Sequence, residues 1–307
     1  MLMAASASAQ FKTESSAPGG LEMGEGKTQQ WKIGISITAV GGACAGITGY
    51  VPVPMQWPEQ EVREVEEDIS SAAKISYRTI NKSAKMMVVK IGHLASGQTA
   101  NVLVTFEVTH RPQLPPEATD QYVLPNTKKM PREVRQYLKA SPKIETKDPK
   151  IRNAAKEIKT NGMSAWEQVE TIYDWVRDKV KYKRGPQKSA VTTLKDSEAD
   201  CEGMTALFIA LCRAKDIPAR TVWVQGHCYP EFYLEDKQGK GYWLPCQISG
   251  EHALGGIPET RPIFQKGDNF RQPGKSREHV HYLHTFVEGN RMAGKPRVRD
   301  ICEAVEQ

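Results

Sequence analysis

The sequence predicts a mixed α+β protein in which an antiparallel β domain precedes a domain with buried helices. Three observations predict this class. Apolar residues alternate with period two across residues 31–110, helical patterns follow from about residue 132, and two apolar-rich runs flank a turn near Lys237. Strands that come first and helices that follow, without a regular βα repeat, are typical of α+β chains.

Composition describes an ordinary globular protein. The chain has 307 residues, 39% of them hydrophobic and 25% charged, with a mean hydropathy of -0.53. It contains no apolar run long enough to cross a bilayer, so no transmembrane segment is predicted. Six scattered cysteines are too few for a disulfide scaffold of this length. The chain is therefore expected to be stabilised by one large or two ordinary hydrophobic cores.

The net charge of +6 is concentrated in one region. Basic residues outnumber acidic ones about two to one between Lys128 and Lys188. Nucleic-acid binding proteins usually add aromatic residues or a known binding motif to such a charge, and this region has neither. We interpret it as a solvated basic face, and nucleic acid is not an expected partner.

The first 29 residues predict a flexible lead-in. The opening "MLMAASASAQ" contains Ala7-Ser8-Ala9, which fits a signal-peptidase site, but lacks a charged start and a full apolar segment. Two interpretations stay open: a remnant of a signal peptide on a protein exported to the periplasm or cell surface, or a disordered start of a cytoplasmic protein. Residues 10–29 are polar and rich in glycine.

Residues 30–120 predict the β domain. Two runs place alternate apolar residues on one face of a strand: Trp31, Ile33, Ile35 and Ile37, and then Val102, Val104, Phe106 and Val108. The proline-rich segment that follows places a domain boundary near residues 115–130, so the second domain is predicted over residues 121–290. Residues 291–307 are expected to be a C-terminal tail with a short helix.

Capping signals locate two helices of the second domain. Asp148 and Pro149 suit the N-cap and first position of one helix. Ser164 and Glu167 form the capping-box pattern of the next helix, whose apolar stripe must pack on a neighbour.

The stretch "DCEGMTALFIALC" predicts a helix from about Cys201 to Ala214. Asp200 is the expected N-cap, and apolar residues at helical spacing predict one fully buried face that includes Cys212. Cys201 then lies in the first turn, where free backbone N–H groups and the positive end of the helix dipole favour a thiolate.

The helix terminus alone cannot activate Cys201. Lowering a thiol pKa from about 8.5 to about 6 requires roughly 3.4 kcal/mol, whereas a helix terminus supplies at best about 2 kcal/mol. Three nearby acids, Glu198, Asp200 and Glu202, oppose a thiolate. A nucleophilic Cys201 therefore needs a cationic partner, such as the imidazolium of a histidine.

A predicted hairpin supplies the histidine. Two apolar-rich runs flank "EDKQGKG", and a turn centred near Lys237 would place His227 opposite Gln247 and Cys228 opposite Cys246. His227 and Gln247 would share one face, so the amide would orient the imidazole. The two cysteines would lie on the other face, either as a cross-strand disulfide or as packed thiols; packed thiols are the favoured interpretation.

These segments resemble the transglutaminase-like superfamily. The resemblance covers about residues 165–250 and rests on three ordered blocks, "ADCEGMTALFIALCRAKDIPARTVWV", "HCYPEFYL" and "GYWLPCQ". It implies a papain-like core in which a cysteine-bearing helix packs on an antiparallel sheet, commonly preceded by a β-sandwich-like domain.

The resemblance also implies roles for individual residues. Cys201 matches the nucleophile, His227 the general base and acid, and Tyr182 a residue that lines the cleft. Gln247 stands where the family usually has an aspartate, and Asp216 stands where the family usually has a glycine at the end of the cysteine-bearing helix.

The expected activity is acyl transfer from an amide through a thioester on Cys201, most readily as a peptidase or amidase acting on a protein or peptide. Two alternatives stay open: a protein-crosslinking transamidase, and a non-catalytic interaction module in which Gln247 marks loss of the triad. No cofactor is predicted. No metal site is predicted either, because a strand would direct His279 and His281 to one face and His284 to the other.

Overall fold

The computed structural model describes residues 21–275 and 278–305. The possible signal-peptide remnant and most of the predicted lead-in, residues 1–20, lie outside them. The helices within the described residues are α1 (Arg132–Arg135), α2 (Pro149–Glu157), α3 (Ala165–Lys179), α4 (Ala190–Asp196) and α5 (Cys201–Ala214), with a short 3-10 segment over Gln136–Leu138 after α1. None of these described helices is long and apolar enough to cross a membrane.

Strands make up most of the remaining regular structure. Those before α1 are β1 (Lys27–Val40), β2 (Cys44–Val53), β3 (Gln60–Ile69), β4 (Ala73–Ile80), β5 (Ala84–Leu94), β6 (Thr99–His110) and β7 (Tyr122–Val123). Those after α3 are β8 (Lys181–Tyr182), β9 (Glu198–Ala199), β10 (Ala219–Val224), β11 (His227–Asp236), β12 (Gly241–Gln247), β13 (Ala253–Leu254), β14 (Ile263–Lys266), β15 (Phe270–Arg271), β16 (His279–Val280), β17 (Phe286–Met292) and β18 (Lys295–Val305). The chain is mixed α+β with antiparallel main sheets, as the sequence predicts.

Two antiparallel sheets contain most of the described strands. One has the strand order β18-β1-β6-β3, and the other runs β13-β12-β11-β10-β14-β5-β2-β17 with β4 and β7 attached to β5 and β11. The predicted alternation is confirmed, since Ile33, Ile35 and Ile37 of β1 are at most 1% exposed. They pack against β2 and β5 in one apolar cluster, so the two sheets face each other across a shared core.

The second core lies around α5. Tyr173 and Val176 of α3 pack with Phe208 of α5 and Phe232 of β11 in one cluster. Helix α5 differs from the prediction of a single buried face, because every residue from Gly203 to Arg213 is buried. Small residues on its other sides allow α4, β10 and β11 to approach closely, so the helix is enclosed by its neighbours.

The predicted helix near the C-terminus is wrong. Residues 295–305 form β18, which pairs with β1 along its whole length from Gln30 opposite Val305 to Val40 opposite Lys295. The segment is therefore an edge strand of the first sheet and not a tail. Val298 lies between charged residues, but apolar and polar residues do not alternate regularly through the rest of this segment. The local sequence therefore gives only a weak strand signal, and the pairing with β1 decides the structure.

The larger sheet also continues across the predicted domain boundary. β14, which follows the helices, meets β5 of the N-terminal part through the single pair Gln265 and Ala84. A buried ionic cluster supports this junction: Lys266 pairs with Glu231 at 2.6 Å and also with Glu59. The helix-bearing part is thus fixed to the N-terminal strands by a backbone pair and by buried ion pairs.

Candidate active site

Cys201 is the first residue of α5, as predicted. Asp200 caps the helix, and its side chain accepts a hydrogen bond of 2.9 Å from the backbone N–H of Gly203. The Cys201 side chain is only partly exposed at the helix N-terminus, where the dipole favours a thiolate. At the other end of the helix Asp216 adopts a left-handed conformation with φ 61°, which Asp tolerates better than most residues.

Close packing holds the first turn of α5 in place. A Cβ atom on Gly203 would lie 2.6 Å from Oγ1 of Thr193 in α4 and 2.7 Å from Cβ of Ala199 in β9. Both distances are shorter than real Cβ contacts, so only glycine fits at this position without displacing its neighbours. The position of Cys201 therefore depends on how closely α4 and β9 approach the helix.

His227 is the first residue of β11 and follows a tight turn from β10. Val224 pairs with His227, and the turn between them contains Gly226 at φ 67°. Arg261 holds the turn because its Nη1 donates to the Gln225 carbonyl at 3.0 Å, while its other guanidinium nitrogens bind the Glu259 carboxylate. Arg261, which is itself held by Glu259, thus stabilises the turn that positions His227.

The structure brings His227 and Gln247 together, but in a register that differs from the predicted one. The hairpin pairs Glu231 with Pro245 and Phe232 with Leu244. That is a slip of two residues, so His227 is not directly opposite Gln247 and Cys228 is not directly opposite Cys246. Side chains alternate with period two, so an even slip keeps each residue on its predicted face.

The side chains of His227 and Gln247 are still in contact in this shifted register. Nε2 of His227 lies 3.1 Å from Oε1 of Gln247. With the amide oxygen as acceptor, Nε2 carries a proton, and Nδ1 is the nitrogen left to serve the thiol of Cys201. The amide therefore occupies the position of the residue that fixes the imidazole tautomer in cysteine and serine hydrolases.

Helix α3 anchors the backbone of Gln247. The Gln247 carbonyl accepts hydrogen bonds from the Tyr173 hydroxyl at 2.8 Å and from Nη1 of Arg177 at 3.0 Å. The Tyr173 hydroxyl also accepts from the N–H of Ala253 at 3.0 Å, and Arg177 donates to the Gly250 carbonyl at 2.8 Å. These two side chains fix the strand end that carries the orienting amide.

The thiol of Cys201 is strongly activated. Its pKa is lowered to about 4 by a hydrogen bond from the Cys228 thiol and, against the opposing effect of burial, by the hydrogen bond and positive charge of His227. A thiol is a weak donor, whereas a charged imidazolium is both a strong donor and an opposite charge. We therefore assign most of the lowering of the Cys201 pKa to His227 rather than to Cys228.

The pKa of His227 shifts in the opposite direction to that of Cys201. Burial lowers the pKa of His227, but hydrogen bonding and charge from Cys201, with a further hydrogen bond from Gln247, outweigh it, and the net pKa is raised. A cysteine with a low pKa beside a histidine with a raised pKa exists as a thiolate–imidazolium pair over the range between those two values. This pair is the activated form that nucleophilic attack requires.

The three acids near Cys201 oppose the thiolate less than their formal charges suggest. Glu198 pairs with Lys183 at 3.0 Å. Burial, together with the charges of Asp200 and Cys201, raises the pKa of Glu202 to about 7, so Glu202 is substantially protonated near neutrality. Burial also raises the pKa of Asp200, although its carboxylate still caps α5.

The other residues singled out from the sequence lie in different environments. Tyr182 in β8 pairs in parallel with Ala199, just before Cys201, and its side chain is 51% exposed. Cys228 and Cys246 are both buried free thiols, as the favoured interpretation has it, and Cys212 is fully buried in the core.

Of the three C-terminal histidines, His281 and His284 lie together, with ring centroids 6.4 Å apart. Their predicted placement on opposite faces of a strand is wrong, because β16 ends at Val280. His279 begins β16 and its ring contacts Asn269, whereas Nε2 of His281 lies 3.9 Å from the Glu202 carboxylate. No cluster of three metal-binding side chains occurs among residues 21–275 and 278–305. His281 also contacts Gln187 at 2.5 Å, so its segment packs beside the start of α5.

Several site residues were not predicted from the sequence. Arg261 and Glu259 lie in an irregular segment, and Tyr173 and Arg177 lie on a helix whose apolar stripe accounts for Tyr173 as a core residue. The available signal was the spacing of four residues between Tyr173 and Arg177, which places both on one helix face. It gives no indication of the strand end they contact.

Part of the chain is similar in sequence to a known family, and its fold is similar to that of a solved structure. A sequence model of the transglutaminase-like superfamily matches residues 152–248, which include Cys201, His227 and Gln247. The chain is similar in structure to a "putative cysteine protease" from Cytophaga hutchinsonii, with a TM-score of 0.57, 17% identity and 92% of each chain covered. A "putative protease" from Parabacteroides distasonis aligns with a TM-score of 0.29 and 11% identity, over 78% of this chain and 49% of that one. No curated protein matches the chain.

Proposed function

We propose that this chain, which contains a transglutaminase-like domain, is a cysteine peptidase or amidase that cleaves amide bonds through a thioester on Cys201. The observation that carries the proposal is the hydrogen-bonded arrangement of His227 and Gln247 beside an acidified Cys201 at a helix N-terminus. A cysteine with a pKa of about 4 is far more acidic than a structural thiol, which burial in apolar surroundings would make less acidic.

The first half of the proposed reaction forms the acyl-enzyme. The Cys201 thiolate attacks the amide carbonyl carbon, and the carbonyl oxygen takes the negative charge beside the N–H groups at the start of α5. Protonated His227 then gives its proton to the amide nitrogen, the carbon–nitrogen bond breaks, and the amine leaves. Cys201 carries the acyl group as a thioester, and His227 is neutral.

The second half restores the enzyme. Neutral His227 removes a proton from water, and the resulting hydroxide attacks the thioester carbon. The carbon–sulfur bond breaks, the product leaves as a carboxylic acid, and the thiolate–imidazolium pair is restored. Gln247 accepts a hydrogen bond from Nε2 of His227 in both halves, so the ring keeps its orientation while its charge changes.

Hydrolysis is the preferred outcome because the structural neighbour from Cytophaga hutchinsonii is described as a "putative cysteine protease". The same thioester would react with a lysine amine if a protein amine replaced water, and that reaction would crosslink proteins. The two outcomes share every residue of the first half. They differ only in what attacks the thioester.

A peptide-library assay tests the proposal. The wild-type chain is incubated with a mixture of peptides, and products are identified by mass spectrometry beside a Cys201→Ala control. We expect new cleavage products with the wild type and none with Cys201→Ala. Incorporation of a biotinylated primary amine into a protein without hydrolysis would favour the transamidase instead. Equal product yields from wild type and Cys201→Ala would overturn both.

A further inference from the structure

An open pocket lies at the end of α5 opposite to Cys201. It has a volume of about 650 Å³ and lies between α2, the segment before it, and the last residues of α5. A helix of 14 residues rises about 20 Å, so this pocket is separate from the candidate active site. Its volume is within the usual range for small-ligand sites, roughly 300–1,000 Å³.

The lining of this pocket is strongly cationic. Six of its residues are basic, and we call the site the basic pocket: Lys147, Arg152, Lys156, Lys159, Arg213 and Lys215. Arg213 is buried and pairs with Asp268 at 2.7 Å, so its charge is already balanced and the other five basic residues remain. The only acidic residue among those that line it is Asp216. None of the five is paired with a carboxylate within the part of the chain that the structure describes.

Helix ends explain only part of this charge. The C-termini of α2 and α5 both point into this region, and lysines and arginines commonly occur there because they offset the negative end of the helix dipole. Each helix end is equivalent to about half a negative charge. Two helix ends and Asp216 thus supply about two negative charges against five positive ones, and about three positive charges remain.

The excess positive charge of the basic pocket affects Lys215, which lines it. Its ammonium group donates to the Ile158 carbonyl at 2.9 Å and to Oγ1 of Thr160 at 3.1 Å. An ammonium has three donors, so one is free for a ligand. Burial and the positive charge of Lys159 lower the pKa of Lys215, and an anion bound nearby would relieve the repulsion between the two lysines.

We propose that the basic pocket binds a small polyvalent oxyanion, carrying phosphate or several carboxylates. A concave site lined by charges of one sign focuses its field and concentrates ions of the opposite sign. Arg152 offers a planar fork of donors that suits phosphate or carboxylate, and the four lysines add point charges around it. The site is independent of the chemistry at Cys201, so it does not rest on the proposed peptidase activity.

Calorimetric titration with inorganic pyrophosphate at low ionic strength tests this proposal. We expect saturable binding at one site, with an affinity that falls as salt is added. The double variant Arg152→Gln/Lys159→Gln should weaken binding by about tenfold or more, because hydrogen bonds to charged groups are the strong ones. A parallel titration with tricarballylate shows whether carboxylates are accepted as well as phosphate.

The control removes the same charge elsewhere. Lys128 and Lys129 are exposed and do not line the basic pocket, so Lys128→Gln/Lys129→Gln should leave the dissociation constant within about twofold. All four substituted residues are exposed, and thermal melts of both variants verify that the fold is retained. Unsaturable binding by the wild type, or equal weakening in the two double variants, would mean a general charge effect and would overturn the proposal.

Discussion

Gln247 links the imidazole of His227 to helix α3. Its side-chain oxygen lies 3.1 Å from Nε2 of His227, and its backbone carbonyl accepts hydrogen bonds from Tyr173 and Arg177. The orientation of the histidine therefore depends in part on two side chains that bind the backbone of this glutamine. The amide that contacts the imidazole thus has its backbone held by two hydrogen bonds from α3.

Removal of the Gln247 amide should lower the proposed activity without unfolding the chain. In Gln247→Ala the imidazole loses the acceptor that fixes its tautomer, and we expect turnover to fall by roughly 10²–10⁴-fold. Gln247→Glu keeps an acceptor and adds a negative charge, so it should retain most activity. Steady-state kinetics with a cleaved peptide measures both, and an unchanged rate in Gln247→Ala would remove Gln247 from the site.

Loss of the Tyr173 hydroxyl should loosen the strand end that carries Gln247. Tyr173→Phe leaves the N–H of Ala253 without its acceptor, and we expect the free energy of unfolding to fall by about 1–3 kcal/mol, with a lower turnover number. Tyr242→Phe removes a hydroxyl that binds Asp236 in a distant turn and serves as the matched control. Denaturant titration and kinetics should separate the two variants; equal losses would argue against a positioning role.

The pH dependence of alkylation should follow the thiolate–imidazolium pair. We expect iodoacetamide to modify wild-type Cys201 with a midpoint near pH 4, as its lowered pKa requires. In His227→Ala the cationic partner is gone, so the midpoint should move toward that of a free thiol, about 8.5. Cys228→Ser should shift it much less, because a thiol is a weak donor. A shift in Cys228→Ser as large as that in His227→Ala would show that Cys228 is the main source of the acidity.

Glu202 should make folding stability depend on pH. Its pKa is about 7 in the folded chain and 4.5 in the absence of the fold, so the folded state binds its proton more tightly. Stability from this group is complete below about pH 4.5 and is lost as the pH rises through 7. Glu202→Gln should therefore unfold at a higher temperature than wild type at pH 8 and at a similar temperature at pH 4. A constant difference across that range would contradict the prediction.

Enlargement of Gly203 should displace the first turn of α5. Alanine gains about 1 kcal/mol of helix propensity over glycine, but its Cβ would overlap Thr193 and Ala199, and overpacking costs typically about 1–3 kcal/mol. We expect Gly203→Ala to lower both the melting temperature and the rate of Cys201 alkylation. Gly92→Ala, where no atom lies within 4 Å of the added Cβ, is the control and should change neither.

Local signals in the sequence predict the helical parts of the site well. The N-cap at Asp200, the capping box at Ser164 and the N-cap at Asp148 all occur in the structure. Each depends on residues within one turn of each other, so tertiary contacts have little scope to alter them. The face shared by His227 and Gln247 was also predictable, because it depends only on parity along two strands.

Contacts between distant segments were not predictable in the same way. The hairpin register shifted by two residues because the turn length sets it, and the sequence "EDKQGKG" permits more than one turn. Two of these contacts are hydrogen bonds between residues far apart in the chain. Arg261 binds Gln225, 36 positions away, and Arg177 binds Gln247, 70 positions away. Strand β18 was predicted as a tail because only its pairing with β1 defines it.

The pairing of β18 with β1 also imposes an order on folding. Strand β1 begins at Lys27 and its partner at Lys295, whereas the segment that carries Cys201, His227 and Gln247 ends well before β18. At roughly 5–20 residues per second, a ribosome needs on the order of ten to sixty seconds to make the chain between these strands. During synthesis one edge of β1 therefore stays uncovered until after the thiol and its partners have emerged, and a nascent chain stalled in that interval exposes a strand edge open to pairing with other chains.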